Sequence, residues 1–308
     1  MINDLPSPPL NRSGWPWTKE SKLIPPMMSN GNPWPKISIV TPSYNQGEFL
    51  EETIRSVLLQ NYPNLEYIIM DGGSTDNSVE IIKKYEKYLT FWTSQKDNGQ
   101  ADAIYRGFEM STGEIIAWIN SDDLYLPNAL ITAAKYFSRN RKKSLLIGSS
   151  YYANVSGKKI KKLYAMPQDF ESIFCAGMHF CQPACFWLRQ TFFDVNGFDR
   201  SLLFAFDYDL FLRLTERQEP GYSLQSLAVF RVHDKAKSSV IPETATKEAI
   251  GIREKYQSID MARQDIIKRA THRLKRLYSC IGMLLDVYYD PKWLFSRARS
   301  LFFGTNFF

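Results

Sequence analysis

Two adjacent aspartates, Asp122 and Asp123, close the apolar run GEIIAWINSDD, and neighbouring carboxylates repel each other unless something neutralises them. A hard divalent cation would do so. It would also bridge the oxygens of a diphosphate and offset charge developing on a leaving group. Asp and Ser also suit the start of a helix over LPNALITAAKYF, so the local pattern leaves both readings open. A further carboxylate, Asp71, ends NLEYIIMDGG, where Gly72 and Gly73 allow a ligand close to the backbone. Asp71 can accept a hydrogen bond from the N3–H of a uracil-type ring, and Tyr44 offers an aromatic face for a base. A plain strand-to-helix turn with Ser74 or Asp76 as cap explains the same residues, and for Asp76 that is the preferred reading.

Asp207 and Asp209 lie in FAFDYDLFLRL between apolar residues at helical spacing. A carboxylate at the wall of an apolar site can act as general base, because partial desolvation raises its pKa and basicity. Asp209 stands four residues before Arg213, a spacing that pairs them on one helix face, which leaves Asp207 as the better base. His233, in FRVHDK, follows another apolar run, and a lone histidine there is more often structural than a ligand. His179 and His272 have no partner at zinc-site spacing. GxxxxGK[ST], GxGxxG after the first strand, GxSxG and HExxH are all missing, and the basic residues form no aromatic-interleaved nucleic-acid motif.

The elements that must hold these groups can be read from periodicity. ISIVTPS is a short β-branched run, and EFLEETIRSVLLQ follows with apolar residues at helical spacing. The unit repeats through NLEYIIMDGG and STDNSVEIIKKYEKY, LTFWTSQKD and GQADAIYRGFEMS, GEIIAWIN and LPNALITAAKYFSRN, then KSLLIGSSYY. Such alternation predicts an open, mainly parallel α/β sheet with helices on both faces. Ligands of these sheets bind beyond the carboxyl ends of the strands. The clusters Thr41–Asn45, Asp71–Ser74, Lys96–Gly99 and Asn120–Asp123 all fall there. After about residue 155 the alternation weakens, and this half reads as an acceptor-side elaboration.

The chain has 308 residues, 44% of them hydrophobic, enough for one large core with appendages. Its net charge of +6 suits anionic partners without choosing among them. Cys175, Cys181, Cys185 and Cys280 match neither a disulfide framework nor a zinc ribbon, which points to a reducing compartment. The N-terminal residues do not read as a signal peptide, and no stretch reaches the ~20 apolar residues of a membrane span, so a soluble or peripheral protein is expected. Residues 1–35, rich in Pro and Trp, read as an extended arm lying against the domain. From about Thr244 the chain reads as helical and basic, and segment 265–308 mixes basic and aromatic residues in the manner of a surface-lying amphipathic tail.

From PKISIVTPSYNQGEFLEETIRSVLLQ through DNGQADAIYRGFEMSTGEIIAWINSDDLYLPNAL, the sequence closely resembles the family-2 inverting glycosyltransferases of the GT-A fold, over about residues 36–240. The GWPW and PWPK arm resembles a subgroup from bacterial polysaccharide gene clusters. The resemblance implies that Pro42, Tyr44 and Asp71 hold a uridine-type base. It further implies that Asp122 and Asp123 hold Mn²⁺ or Mg²⁺ on the donor diphosphate, that Asp207 is the catalytic base, and that His233 completes the metal or phosphate site. Two positions depart from the family pattern. The usual D-x-D reads Asn120-Ser121-Asp122, and the later Glu-Asp reads Phe206-Asp207.

The expected organisation is an arm at 1–35, a GT-A domain at 36–243 and a helical basic extension at 244–308. Within the domain, 36–150 would bind the nucleotide sugar and 151–243 would carry the acceptor side and the base. The expected reaction is inverting transfer of a sugar from a nucleotide diphosphate, a UDP-sugar first, to a glycan or lipid-linked acceptor hydroxyl in cell-surface polysaccharide synthesis. The expected location is cytoplasmic, with the tail available to the inner membrane face. Nucleic acid is not an expected partner, and oligomerisation is left open. The main rival is an inactive sugar-nucleotide or glycan-binding scaffold of the same fold. A nucleotidyltransferase would need a basic Gly-rich loop after the first strand, which TPSYNQGEF lacks.

Overall fold

The computed structural model describes residues 1–259. The first half alternates strand and helix: β1 (Ile37–Ser43), α1 (Gly47–Leu58), β2 (Leu65–Asp71), α2 (Ser78–Tyr85), β3 (Phe91–Ser94), α3 (Gln100–Met110) and β4 (Ile115–Trp118). The second half is less regular: β5 (Leu124–Tyr125), α4 (Ala129–Arg139), β6 (Leu145–Ala153), β7 (Lys159–Leu163), α5 (Phe170–Ala176), β8 (Cys185–Leu188), α6 (Arg189–Asp194), α7 (Phe206–Arg217), β9 (Gly221–Arg231), α8 (Lys237–Val240) and α9 (Pro242–Ile259).

One sheet joins them in the order β3-β2-β1-β4-β8-β6-β9-β5, with β7 on β6. β3, β2, β1 and β4 are all parallel. Past β4 the order becomes mixed, because β8 runs antiparallel to both β4 and β6, β7 returns from β6 as a hairpin, and β5 is antiparallel to β9. The parallel expectation thus describes the half in which helices cross between strands. Antiparallel neighbours need no such crossover, which is why the alternation fades after residue 155. β6 and β9 again run parallel to each other, so the ends of β1, β2, β4, β6 and β9 share one edge.

Strand alternation divides the apolar residues between two cores. Ile39, Ile69 and Ala117 pack with Leu50, Ile54, Ile82 and Leu130 of the helices on one face. Val40, Ile68, Met70 and Trp118 pack with Ile104, Phe108, Phe192 and Phe211 on the other. The fit is close at Gly107, where a Cβ would come within 2.6 Å of the Val40 side chain.

The first 35 residues lie against the face that carries α1. Leu5 and Trp34 enter its core, and the Trp15 indole N–H donates to the Tyr125 carbonyl at 2.8 Å. Arg55 of α1, fully buried, donates to the carbonyls of Pro6, Pro16 and Trp17, and its guanidinium stacks 5.3 Å from the Trp17 ring centroid. A buried guanidinium must have acceptors, and the arm supplies them. Among the described residues no helix is long and apolar enough to cross a membrane. The segment 265–308, expected to form an amphipathic tail, lies outside the described residues.

Candidate active site

The crevice is built at the carboxyl edge of the sheet. Pro42 is buried near the end of β1 opposite Met70 of β2. It has no N–H to extend the β1–β4 ladder past Val40 and Trp118, so the chain after β4 is released into the Asn120–Asp123 loop. Tyr44, two residues on, stands at the rim with 63% of its surface exposed. Asn45 adopts a left-handed φ of 52°, and its side-chain oxygen accepts from Thr75 N at 2.8 Å, tying the β1 loop to the β2 loop. Asp76 joins the same two loops by accepting from Gly47 N at 2.9 Å and Ser78 N at 3.0 Å, so it caps two helices, as the sequence favoured.

Asp71 is 2% exposed and accepts from Gly73 N (3.1 Å), Ser74 N (2.9 Å), Ser74 Oγ (2.5 Å) and Ser94 Oγ (2.7 Å). Its carboxylate therefore organises the Gly72–Ser74 turn. Asp97, which the sequence marked only as part of a strand-end cluster, stands on the other side of that turn. A Cβ at Gly72 would lie 2.8 Å from its Oδ2. Burial, and then Asp102 and Asp71, raise the Asp97 carboxyl above its ordinary value, although Gly99 N–H donates to it.

The two adjacent aspartates take different roles. Asp122 Oδ2 lies 3.0 Å from His233 Nε2, and Asp122 keeps 17% of its side chain exposed. Asp123 departs from the expected symmetric pair, being only 1% exposed. Its two oxygens accept from Arg231 N at 3.0 Å and from the Asn120 amide at 3.2 Å. Burial, and then the neighbouring Asp122, push its carboxyl well above the usual range. The physical reason is the end of β9, whose backbone N–H draws Asp123 inward while His233, two residues further, meets Asp122. Asp123 thus anchors the loop, whereas Asp122 pairs with His233.

A metal ion fits that pair. A carboxylate oxygen suits Mn²⁺ or Mg²⁺ and the imidazole nitrogen favours the softer Mn²⁺ of the two, and their 3.0 Å separation matches the roughly 3 Å between adjacent ligands of an octahedral ion with ~2.1 Å bonds. Among the described residues no cluster of three His, Cys, Asp or Glu could hold an ion alone. Substrate oxygens would have to complete the shell, as they do for cations on nucleotide phosphates.

Asp207 stands in the first turn of α7. Burial pushes its carboxyl from 3.8 to about 6, against the Tyr208 N–H and the pull of Lys237. Asp209, 2% exposed, is held by Arg213 at 2.6 Å. The α7 start is fixed from α9, where the Glu248 carboxylate accepts from Leu203, Phe204 and Ala205 N–H at 2.7–2.8 Å.

A chain of amides links the two parts of the crevice. Lys237 Nζ donates to Gln100 Oε1 at 3.0 Å, Gln100 Nε2 to Asn120 Oδ1 at 2.7 Å, and Asn120 Nδ2 to Asp123. Glu248, Gln100 and Lys237 were not singled out by sequence reasoning, because their partners lie 20 to 137 positions away.

The model of glycosyl transferase family 2 matches residues 38–197. The chain belongs to this family. An uncharacterized glycosyltransferase of Rickettsia typhi is 26% identical over 255 residues, 77% of this chain and 76% of that one. Chondroitin synthase of Pasteurella multocida is 29% identical over 197 residues, 63% of this chain but 20% of the synthase. Among solved structures, a mannosyltransferase from Pyrobaculum calidifontis in complex with GDP-Man and Mn²⁺ superposes with a TM-score of 0.58 at 15% identity, covering 92% of this chain and 84% of that one. S. aureus TarS 1–349 in complex with UDP-GlcNAc gives 0.57 at 17% identity, over 71% and 65%. The family-2 glycosyltransferase therefore has the GT-A architecture.

Proposed function

We propose that this family-2 glycosyltransferase moves a sugar from a nucleotide diphosphate to an acceptor hydroxyl with inversion, in the synthesis of a cell-surface polysaccharide. The observation that carries the reading is the Asp122–His233 pair at 3.0 Å, beside a loop that Asn120 and Gln100 link to Lys237, the cation that acts on the Asp207 carboxyl. Structural neighbours bound to UDP-GlcNAc and GDP-Man support a nucleotide-sugar donor, and a UDP-sugar is the first choice.

Tyr44 stacks on the base, and Pro42 with the Asp71 turn forms the floor beneath it. Asp97 faces the base edge from the far side of Gly72. Asp122 and His233 would hold Mn²⁺ or Mg²⁺, with Asp123 fixing the loop behind them. The ion, when bound, supplies Lewis-acid stabilisation of the departing diphosphate. Asp207 removes the acceptor hydroxyl proton as that oxygen attacks the anomeric carbon; the C–O bond to the diphosphate breaks on the opposite side, and one displacement inverts the carbon.

Nucleotide release from UDP-GlcNAc, UDP-glucose and GDP-mannose, with Mn²⁺ or EDTA, tests the reading. Mn²⁺-dependent release that Asp207→Asn abolishes supports catalysis, whereas donor binding without release in the wild type leaves the inactive scaffold.

A further inference from the structure

Lys237, on the short α8 four residues after His233, is half-buried, and its ammonium rests on the neutral Gln100 amide at 3.0 Å and 5.5 Å from the Phe206 ring centroid. Among the described residues, no carboxylate reaches it within 4.0 Å, the distance of the ion pairs found elsewhere in the chain. A cation held out of water beside an amide and a ring is costly without a counter-ion. Burial holds the ammonium below its usual value although Asp207, Glu248 and Asp97 pull the other way. Its hydrogen bond leads toward the Asn120–Asp123 loop. Gln100 bonds Asn120 in the Asn120–Asp123 loop, and the Asp122–His233 pair stands at the other end of the His233–Lys237 segment.

Resting on the donor reading above, we propose that Lys237 is a catalytic residue whose ammonium binds the diphosphate of the sugar nucleotide and neutralises it as the leaving group departs. The ligand class is a nucleoside diphosphate, and the phosphates supply a counter-ion within contact distance, where Asp207, Glu248 and Asp97 act only from further away. Gln100 keeps the long side chain extended toward that position before the donor arrives, which lowers the entropy lost on binding. A charge-assisted contact to a phosphate oxygen strengthens as negative charge grows on it in the transition state.

Thermal unfolding of wild type, Lys237→Met and Lys237→Arg, each alone, with uridine and with UDP or GDP in the presence of Mn²⁺, tests this. Lys237→Met should match or exceed the wild type without ligand, since burial of the cation outweighs the distant pull of Asp207, Glu248 and Asp97. It should keep the response to uridine and lose most of the response to UDP, with UDP affinity by calorimetry about tenfold weaker, near 1.4 kcal/mol. Lys237→Arg should recover part of that affinity. Equal UDP responses in wild type and Lys237→Met would overturn the proposal, as would loss of ligand-free stability and of the uridine response together, which marks a structural role. A wild-type protein that responds to neither UDP nor GDP overturns the donor reading itself, and this assignment with it.

Discussion

His233 Nε2 and Asp122 Oδ2 meet at 3.0 Å across 111 positions of sequence, which makes the end of β9 part of the same site as the loop after β4. Their neighbours divide the work differently from their order in the chain, since Asp123 turns its oxygens to Arg231 N and Asn120. Asp122→Asn and His233→Ala should therefore abolish the Mn²⁺-dependent part of UDP binding. Asp123→Asn should keep UDP affinity within about threefold and lower stability instead. Calorimetry with and without Mn²⁺ checks both, and equal loss in all three variants would restore the symmetric pair.

Asp207 predicts a pH profile. Its carboxyl is raised to about 6, and a base works only when ionised, so the turnover rate should rise about tenfold per pH unit below 6 and level off above it. Stability runs the opposite way. The folded state holds this proton more tightly than the unfolded chain, so the group's contribution falls as pH rises from 3.8 to about 6. Asp207→Asn should abolish turnover, retain UDP affinity and remove this part of the pH dependence of unfolding. A profile flat between pH 5 and 7 in the wild type would assign the base elsewhere.

Local chemistry was legible in the sequence, and pairing at a distance was not. Asp209 with Arg213 was readable because i,i+4 spacing puts both on one helix face, and their 2.6 Å contact follows. The crevice clusters were readable because each apolar strand of the first half ends in a polar turn. Nothing near Asp123 in the chain says that Arg231 N will claim it, and nothing near Asp207 says that Glu248 of α9 will cap its helix. Both depend on where β9 and α9 return to the edge of the sheet. The antiparallel placement of β8 was equally hidden, because CFWL reads alike in either direction.

Glu248 connects stability to catalysis. Its carboxylate accepts three backbone N–H groups ahead of α7, and although burial acts to raise its pKa, the N–H groups of Ala205, Leu203 and Phe204 together bring it below the ordinary value. Glu248→Ala should cost about 1–2 kcal/mol by loss of this cap and reduce turnover through Asp207. The sign follows from the lowered value: the cap contributes fully above pH 4.5 and is lost as pH falls through the folded pKa. Urea unfolding at pH 7 and pH 3 should therefore show a smaller difference between variant and wild type at the lower pH.

Arg55 fixes the arm. Removing a guanidinium that satisfies three carbonyls and the Tyr85 hydroxyl leaves buried acceptors without donors. Arg55→Met should cost roughly 2–4 kcal/mol and open residues 1–35 to limited proteolysis, while a full-length wild type resists cleavage there. Rapid cleavage of the wild-type arm under the same conditions would show that these contacts do not hold it.

The last prediction rests on the sequence of the C-terminal segment. Residues 265–308 carry Lys268, Arg269, Arg273, Lys275, Arg276, Lys292, Arg297 and Arg299 beside Trp293, Phe295, Phe302, Phe303, Phe307 and Phe308. Such a mixture is too apolar for water and too interrupted by charge to span a bilayer. Each basic residue near an anionic leaflet adds about 1 kcal/mol of attraction, which salt screens. The full-length protein should co-sediment with anionic phosphatidylserine vesicles at low salt and be released at high salt, while a chain ending at Ile259 stays in the supernatant and still binds UDP. Packing of the aromatics on the catalytic domain or on a second copy gives a different pattern: both chains remain in the supernatant, and the shorter one loses stability or changes its oligomeric state.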